Sequence, residues 1–540
     1  MTASRASALM LRDDVYFEPL IYQWYAWPYL VQPVTAAMSL AGKNLRLLRS
    51  FASNPDIHIQ ATRTPGFAGG SFVDCGMEHL DRVKALIADM ECRDNGVQQV
   101  REAVVALNAL LAGQDGMSME RLYTQIPPPL SGLVELVYDM QHRPGFRLIE
   151  GLLYDSSLYK RSAQSISLGF ASPDADRPFV LSSPRFPDER HLHAQVEFGD
   201  EWLDQLFRTR FSAVSESDVL DLFGRVTCTG LPNPLALFEA REPMAAPPPS
   251  DDEVSVTYIG HAGLLVRSAR VCVLFDPVIA ASDTRHVGSI FTFSDLPDYV
   301  DHVCLTHTHM DHSCIETLLQ LRCRIGTLLV PKSNSGELQD PSLKLMLRAL
   351  GFRVEEMEDM EILNLPGGKL RALPFLGEHA DLRIRSKTAW HLELDGFTMF
   401  VGADAASLDE AMYRRIHDVT GDVDMFFVGM ECVGAPMSWL YGSLFTSPVP
   451  AAINQSRRFN GSDFESARQL IDIFHPTNVY VYALGMEPWF RYFMGIDYEQ
   501  DARQTTESNK LIDHCHAQGI EAQRLVGKQS WKVCRGTVVV

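Results

Sequence analysis

The chain has 540 residues, 46% hydrophobic and 21% charged, with a formal net charge of -20. At about 100–200 residues per domain, this length and composition predict a globular protein of several domains. The sign of the charge argues against nonspecific nucleic-acid binding and against anionic membrane surfaces, both of which demand basic faces.

The N-terminus, MTASRASALMLRDD, has too short an apolar stretch before Arg12 for a signal peptide. No apolar run approaches the roughly 20 residues of a transmembrane helix. Ten cysteines are scattered without a CxxC pair, as expected of buried, reduced thiols in a cytoplasmic protein. Residues 14–34, rich in aromatics and interrupted by Pro19, Pro28 and Pro33, are compatible with short strands, turns and an early helix. Apolar spacing over 78–112, broken near Asn95-Gly96, predicts a helical pair. Strands are expected at 177–182 and 192–198. Residues 1–242 thus read as a mixed α/β domain.

The seam PMAAPPPSDDE, residues 243–253, reads as a linker, because consecutive prolines favour extended backbone and the acidic run stays solvated. From residue 254 the pattern changes to short β-rich runs: VSVTYIG, GLLVRS, RVCVLFDP, HVCLT, GTLLVP, KLRALPF, TAWHLELD, FTMFVGAD, MFFVGM and NVYVYAL. Helices fit at 313–322, 341–350, 407–418 and 463–473. Alternating strands and helices predict two packed sheets with helices outside, so the whole chain is α+β.

CLTHTHMDHSC sets His307, His309, Asp311 and His312 within six residues, directly after a strand. A loop at a strand's end lets such side chains converge on a metal, and neutral imidazole and carboxylate suit zinc or iron. His307 and His309 can hold one ion, Asp311 and His312 a second. Later strand ends offer Asp404, whose carboxylate could bridge both ions, and the adjacent pair Glu378 and His379. Neighbouring residues on extended chain point apart, so one of that pair is expected to bind.

IGHAGLLV, LFDPV, THTHMDH, GEHADL and VGADA occur in the order of the metallo-β-lactamase superfamily, which residues 254–540 resemble. The resemblance implies an αββα sandwich, a structural role for Asp276 beneath the loop, and His261 near the site without being a ligand. Hydrolases of this superfamily supply another histidine after a late strand. Here NVYVYALGMEPW has none, His475 precedes that strand, and His514 and His516 sit in a predicted helix.

The whole chain more narrowly resembles the diiron aminoacyl β-hydroxylases of nonribosomal peptide pathways, through FEPLIYQWYAWPYL and GEHADL. That resemblance implies His307, His309 and Glu378 on one iron, Asp311 and His312 on the other, and Asp404 between them. It further implies an oxo- or hydroxo-bridged iron pair, O2 as cosubstrate and an external electron donor or reductase. The implied substrate is an aminoacyl group on a carrier (thiolation) domain, with residues 1–242 serving carrier docking and homodimerisation. A dinuclear zinc hydrolase is the alternative.

Overall fold

The computed structural model describes residues 8–539 apart from 68–69, 93–95, 172–176, 178, 244–246, 252, 287, 495–497 and 535–536. Parts of the seam and Asn95 therefore lie outside the described residues. Among the described residues no helix is long and apolar enough to cross a membrane.

From residue 253 on, two sheets stack. In the eight-stranded sheet, Cys272–Phe275, Val300–Cys304, Ile325–Pro331 and Val354–Met357 run parallel, flanked by the antiparallel ribbon of Gly263–Arg267, Glu253–Gly260 and Gln529–Cys534, with Thr537–Val539 at the edge. In the seven-stranded sheet, the antiparallel run Ile362–Leu365, Gly368–Leu373 and Ala389–Leu394 joins the parallel set Phe397–Val401, Met425–Gly429, Asn478–Tyr482 and Glu521–Arg524. Val256, Leu264, Phe275, Trp390, Phe427 and Trp531 fill the space between the sheets. Helices such as Ile315–Leu321, Glu410–Thr420 and Phe464–Phe474 cover the outer faces. This is the expected αββα sandwich. Central strands such as Cys272–Phe275 and Met425–Gly429 read as continuous apolar runs because both of their faces are buried.

The N-terminal region builds an antiparallel sheet in the order Trp24–Tyr25, Val15–Ile21, Gln164–Phe170, Leu192–Gln195 and Thr227–Gly230. The helical pair is present as Leu80–Glu91 and Val97–Ala112. Among the described residues of 177–182, where a strand is expected, none forms: residues 179–182 are turns, and Phe179 has a φ of 59° that a strand cannot hold. Between helices Pro33–Ser39 and Leu45–Ser53 the chain makes a π-helical turn, Leu40–Asn44.

One hydrophobic cluster runs without a break from Phe17, Leu168 and Phe207 into Ile315, Leu318 and Leu328 of the sandwich. Polar contacts follow the same boundary. Arg177 pairs with Glu18 at 3.2 Å and Glu316 at 3.0 Å, and the Tyr25 hydroxyl donates to Glu316 at 2.8 Å. Arg210 donates to Gln320 at 3.0 Å and to the Val15 carbonyl at 2.7 Å. Through Glu316 and Gln320 these contacts tie strand Val15–Ile21 and its neighbours to the helix that follows the histidine loop.

Glu150 crosses the boundary too, accepting the Ser342 backbone N–H at 3.0 Å. Burial, assisted by the charge of Asp340, pushes its carboxyl from the ordinary 4.5 up to about 7. A carboxyl raised in the folded state favours the protonated form. Its stabilising contribution is therefore complete below 4.5 and is lost as pH rises through about 7. Glu150→Gln is expected to remove about 2–3 kcal/mol of the stability lost between roughly pH 5 and pH 8. Urea unfolding of both proteins at each pH checks this, and identical pH slopes would contradict it.

Candidate metal centre

Strands Val300–Cys304, Gly368–Leu373, Phe397–Val401, Met425–Gly429 and Asn478–Tyr482 release their loops at one end of the sandwich, as carboxyl ends of strands commonly do at binding sites. Isolated bridges His307–Lys387 and Leu376–Ala406 tie these loops together. His261, Asp276, Glu378, Ala403 and Ala483 all adopt positive φ, between 36° and 63°. Left-handed backbone at non-glycine residues costs about 1–3 kcal/mol each and survives only where surroundings impose it. Here it turns the side chains of Glu378 and His261 inward. Gly429 has a related role: a Cβ there would lie 2.8 Å from the Asp404 carboxylate and 2.6 Å from the Ala403 carbonyl.

The loop residues and the two later carboxylates come together in overlapping groups. His307, His309 and Glu378 converge on one point, and His307, His312 and Asp404 on a second. His309 Nδ1 is 2.9 Å from Glu378 Oε1, His312 Nε2 is 3.2 Å from Asp404 Oδ2, and His307 Nε2 is 3.6 Å from the same oxygen. His307 is the residue the two groups share, and Asp404 belongs to the second. Asp311 lies 3.6 Å from His312 Nε2 and 3.0 Å from His261 Nε2. His261, Asp311 and His312 form a third group of converging donors that overlaps the second at His312, so His261, expected near the site without being a ligand, stands among its donors.

Other residues hold the imidazoles in place. Asp276, wholly buried, accepts the Thr306 N–H at 2.7 Å and pairs with His312 Nδ1 at 2.8 Å, leaving Nε2 to face Asp404. The Tyr441 hydroxyl meets His309 Nε2 at 3.1 Å and turns Nδ1 toward Glu378. His379, 3.4 Å from the same hydroxyl, is buried nearby but belongs to neither group. His475 pairs with Asp422 and lies near His417 on the surface, in a separate group. His514 and His516 are on helix Arg503–Ala517, also apart from the site.

Charge and burial oppose each other here. Burial and the neighbouring imidazoles His312 and His309 drive His307 well below the ordinary range, and burial takes His309 down to about 4, so both are neutral donors. Burial disfavours the charged form of His312, but Asp404, Asp311 and Asp276 outweigh it and raise the group. Burial and the charges of Asp404 and Asp311 push Glu378 well above the carboxylate range. A set of carboxylates that repel one another in a dry pocket is stabilised by cations, and metal binding would displace the His312 proton. His307 Nε2, His312 Nε2 and Glu378 Oε2 are buried and hydrogen-bond to nothing among the described residues. Unsatisfied buried nitrogen and oxygen atoms directed at shared points fit a pair of metal ions.

The ion-binding groups open on a pocket of about 400 Å³, walled by Val433, Trp439, Phe459, Leu484 and Met494. Glu431 also faces it, and burial followed by the charges of Glu378 and Asp404 pushes its carboxyl well above the usual range. Sequence reasoning missed Glu431 and Tyr441. Glu431 did carry the available signal, an acidic residue just past a strand end. Tyr441 lies 132 residues from His309 with no local pattern.

Fold and site together define a dinuclear metalloenzyme that binds its ions with mixed histidine and carboxylate donors. Residues 10–238 match the family model described as the diiron non-heme β-hydroxylase N-terminal domain. The chain is 36% identical over 527 residues, 95% of its length and 98% of the relative's, to the 4-amino-L-phenylalanyl-[CmlP-peptidyl-carrier-protein] 3-hydroxylase of Streptomyces venezuelae. It superposes on the crystal structure of CmlA, a diiron β-hydroxylase from Streptomyces venezuelae, with a TM-score of 0.90 at 34% identity, covering 98% of this chain and 100% of that one. A glutamate-to-aspartate mutant of CmlA gives a TM-score of 0.88 at 34% identity, over 97% of this chain and 100% of that one. The chain belongs to the diiron β-hydroxylase family. It is an oxygen-dependent enzyme with two iron ions, and the zinc-hydrolase alternative is set aside.

Proposed function

We propose that this enzyme hydroxylates the β-carbon of an aminoacyl group held as a thioester on a carrier domain of a nonribosomal peptide synthetase. The observation that carries the reading is the pair of overlapping donor groups in a family whose characterised relative is named for a carrier-bound substrate. In this reading His307, His309 and Glu378 hold one iron, Asp311 and His312 the other, and Asp404 bridges them. When bound, the irons supply the O2 activation that breaking an unactivated C–H bond requires.

The protein's own part is positioning and exclusion. Asp276 and Tyr441 fix the tautomers and ring planes of His312 and His309 through hydrogen bonds of 2.8 and 3.1 Å. Trp439, Phe459 and Leu484 give the pocket an apolar wall that keeps water from the reacting carbon. Glu431, the pocket's carboxyl outside the ion-binding set, is an acceptor suited to the substrate's ammonium group. Hydroxylation consumes O2, two protons and two electrons per product and releases water, so an external electron donor or reductase is part of the reading. Residues 1–242 would serve carrier docking and homodimer formation, with 243–253 as linker and 254–540 as the catalytic domain, in a cytoplasmic enzyme.

The test is to incubate iron-loaded enzyme with aminoacyl-loaded carrier domain, O2 and a reductant, then weigh the released amino acid. The expected product carries one added oxygen from O2 at the β-carbon. Hydrolysis of the thioester without oxygen incorporation would contradict the proposal.

A further inference from the structure

A second cavity, of about 770 Å³, lies beside the metal pocket. One wall comes from helices early in the chain and the other from the loop around 436–454. Trp439 and Leu440 line both cavities, so those side chains stand between them. Tyr441, the next residue, touches His309.

The chemistry of this cavity is unlike the rest of the chain. Among the described residues it is lined by Lys43, Arg46 and Arg101 and by no acidic side chain, in a protein with a net charge of -20. Among the described residues none of the three cations pairs with a carboxylate, and Arg101 Nε is buried with no hydrogen-bond partner. Burial, then the like charge of Arg46, pulls the Lys43 ammonium down, a penalty that an anion in the cavity would relieve. Lys43 sits in the π-helical turn Leu40–Asn44, a distortion found often at functional sites. Gly42 of the same turn makes room: a Cβ there would already be 3.3 Å from Arg101 Nε. Ser39 and Ser443, 3.0 Å apart, join the two walls and add hydroxyls.

We propose that Lys43, Arg46 and Arg101 bind the phosphodiester of the carrier domain's phosphopantetheine arm, whose thioester end passes Trp439 and Leu440 into the metal pocket. The inference rests on the carrier-bound reading above and adds where the arm lies. Guanidinium and ammonium groups that lack protein partners match a phosphate, and cations clustered in a partly enclosed cleft bind it more tightly than on an open surface. Exposed Arg46 marks the mouth, where the arm would join the carrier. The hydroxyl-rich walls suit the amides of the arm.

Calorimetric titration of the full-length, iron-loaded enzyme with 4′-phosphopantetheine and with pantetheine tests this. The phosphate is expected to tighten binding at least about tenfold, the equivalent of 1.4 kcal/mol. Arg101→Gln combined with Lys43→Gln should erase that preference and leave pantetheine binding unchanged, while Arg101→Lys should retain most of it. Arg46→Gln, at an exposed position that leaves folding undisturbed, should reduce it in part. Equal affinity for the two ligands in the wild type, or a preference that survives the double substitution, would overturn the site. A phosphate preference without hydroxylation of carrier-bound aminoacyl groups would uphold the site and reject the broader reading. Hydroxylation without the preference would reject the site alone.

Discussion

Glu378→Ala is expected to lower hydroxylation of a carrier-bound aminoacyl substrate at least about tenfold, the effect of roughly 1.4 kcal/mol on the barrier. Glu378 is 4% exposed, with one oxygen 2.9 Å from His309 Nδ1 and the other without a hydrogen bond. Alanine removes an anionic donor from one ion-binding group, and no other carboxylate belongs to that group. Histidine restores a donor but not the second oxygen or the charge, so Glu378→His should also be impaired. His379→Gln should do less harm, because His379 meets the site through the Tyr441 hydroxyl at 3.4 Å. The variants are compared by iron content and by mass spectrometry of the product. If His379→Gln loses iron while Glu378→Ala keeps iron and activity, the assignment of the two residues is reversed.

The second large effect concerns the boundary between the two halves. Removing residues 1–242 should prevent residues 254–540 from yielding a folded, iron-binding protein. Ile315, Leu318 and Leu319, all buried in the cluster shared with Phe17 and Phe207, would be exposed. At about 1.5–3 kcal/mol for each large apolar side chain, that is roughly 5–9 kcal/mol, comparable to the whole stability of a typical domain. Glu316 would also lose Arg177 and Tyr25. These contacts hold the helix that begins three residues after His312, so the loss would reach the metal loop. Cutting the chain at Pro247–Pro248, which are exposed, is a different matter, since neither belongs to a hydrophobic core cluster. Protein nicked within 243–253 should elute as one particle with its iron. A soluble residue 254–540 fragment that retains two irons would contradict this account of the boundary.

The sandwich and the centre of the site were legible because their signals are local. His307, His309, Asp311 and His312 follow an apolar strand within a few residues, and Asp404 ends another, so spacing alone suggests convergence. Choosing between Glu378 and His379 from alternation assumed extended backbone, whereas Glu378 has a φ of 63° and both side chains end up buried near His309. The N-terminal sheet was hidden because its pairings are remote: Val15–Ile21 lies against Gln164–Phe170, and no local pattern announces such a partner. Late strands such as Glu521–Arg524 are short and polar, and at the edge of the sheet this one buries only Ala522, so its pattern carries little strand signal. The continuous core across the boundary was invisible for the same reason. A proline-rich seam read from sequence says nothing about how much surface the segments on either side of it bury against each other.

The central claim is that these six side chains hold a redox-active iron pair used for hydroxylation. The most direct measurement is metal analysis of enzyme produced with both iron and zinc available, coupled to mass spectrometry of the amino acid released after turnover under 18O-labelled O2. The account predicts about two irons per chain and one labelled oxygen at the β-carbon. Two zincs without iron, or a product whose added oxygen comes from water, would contradict it.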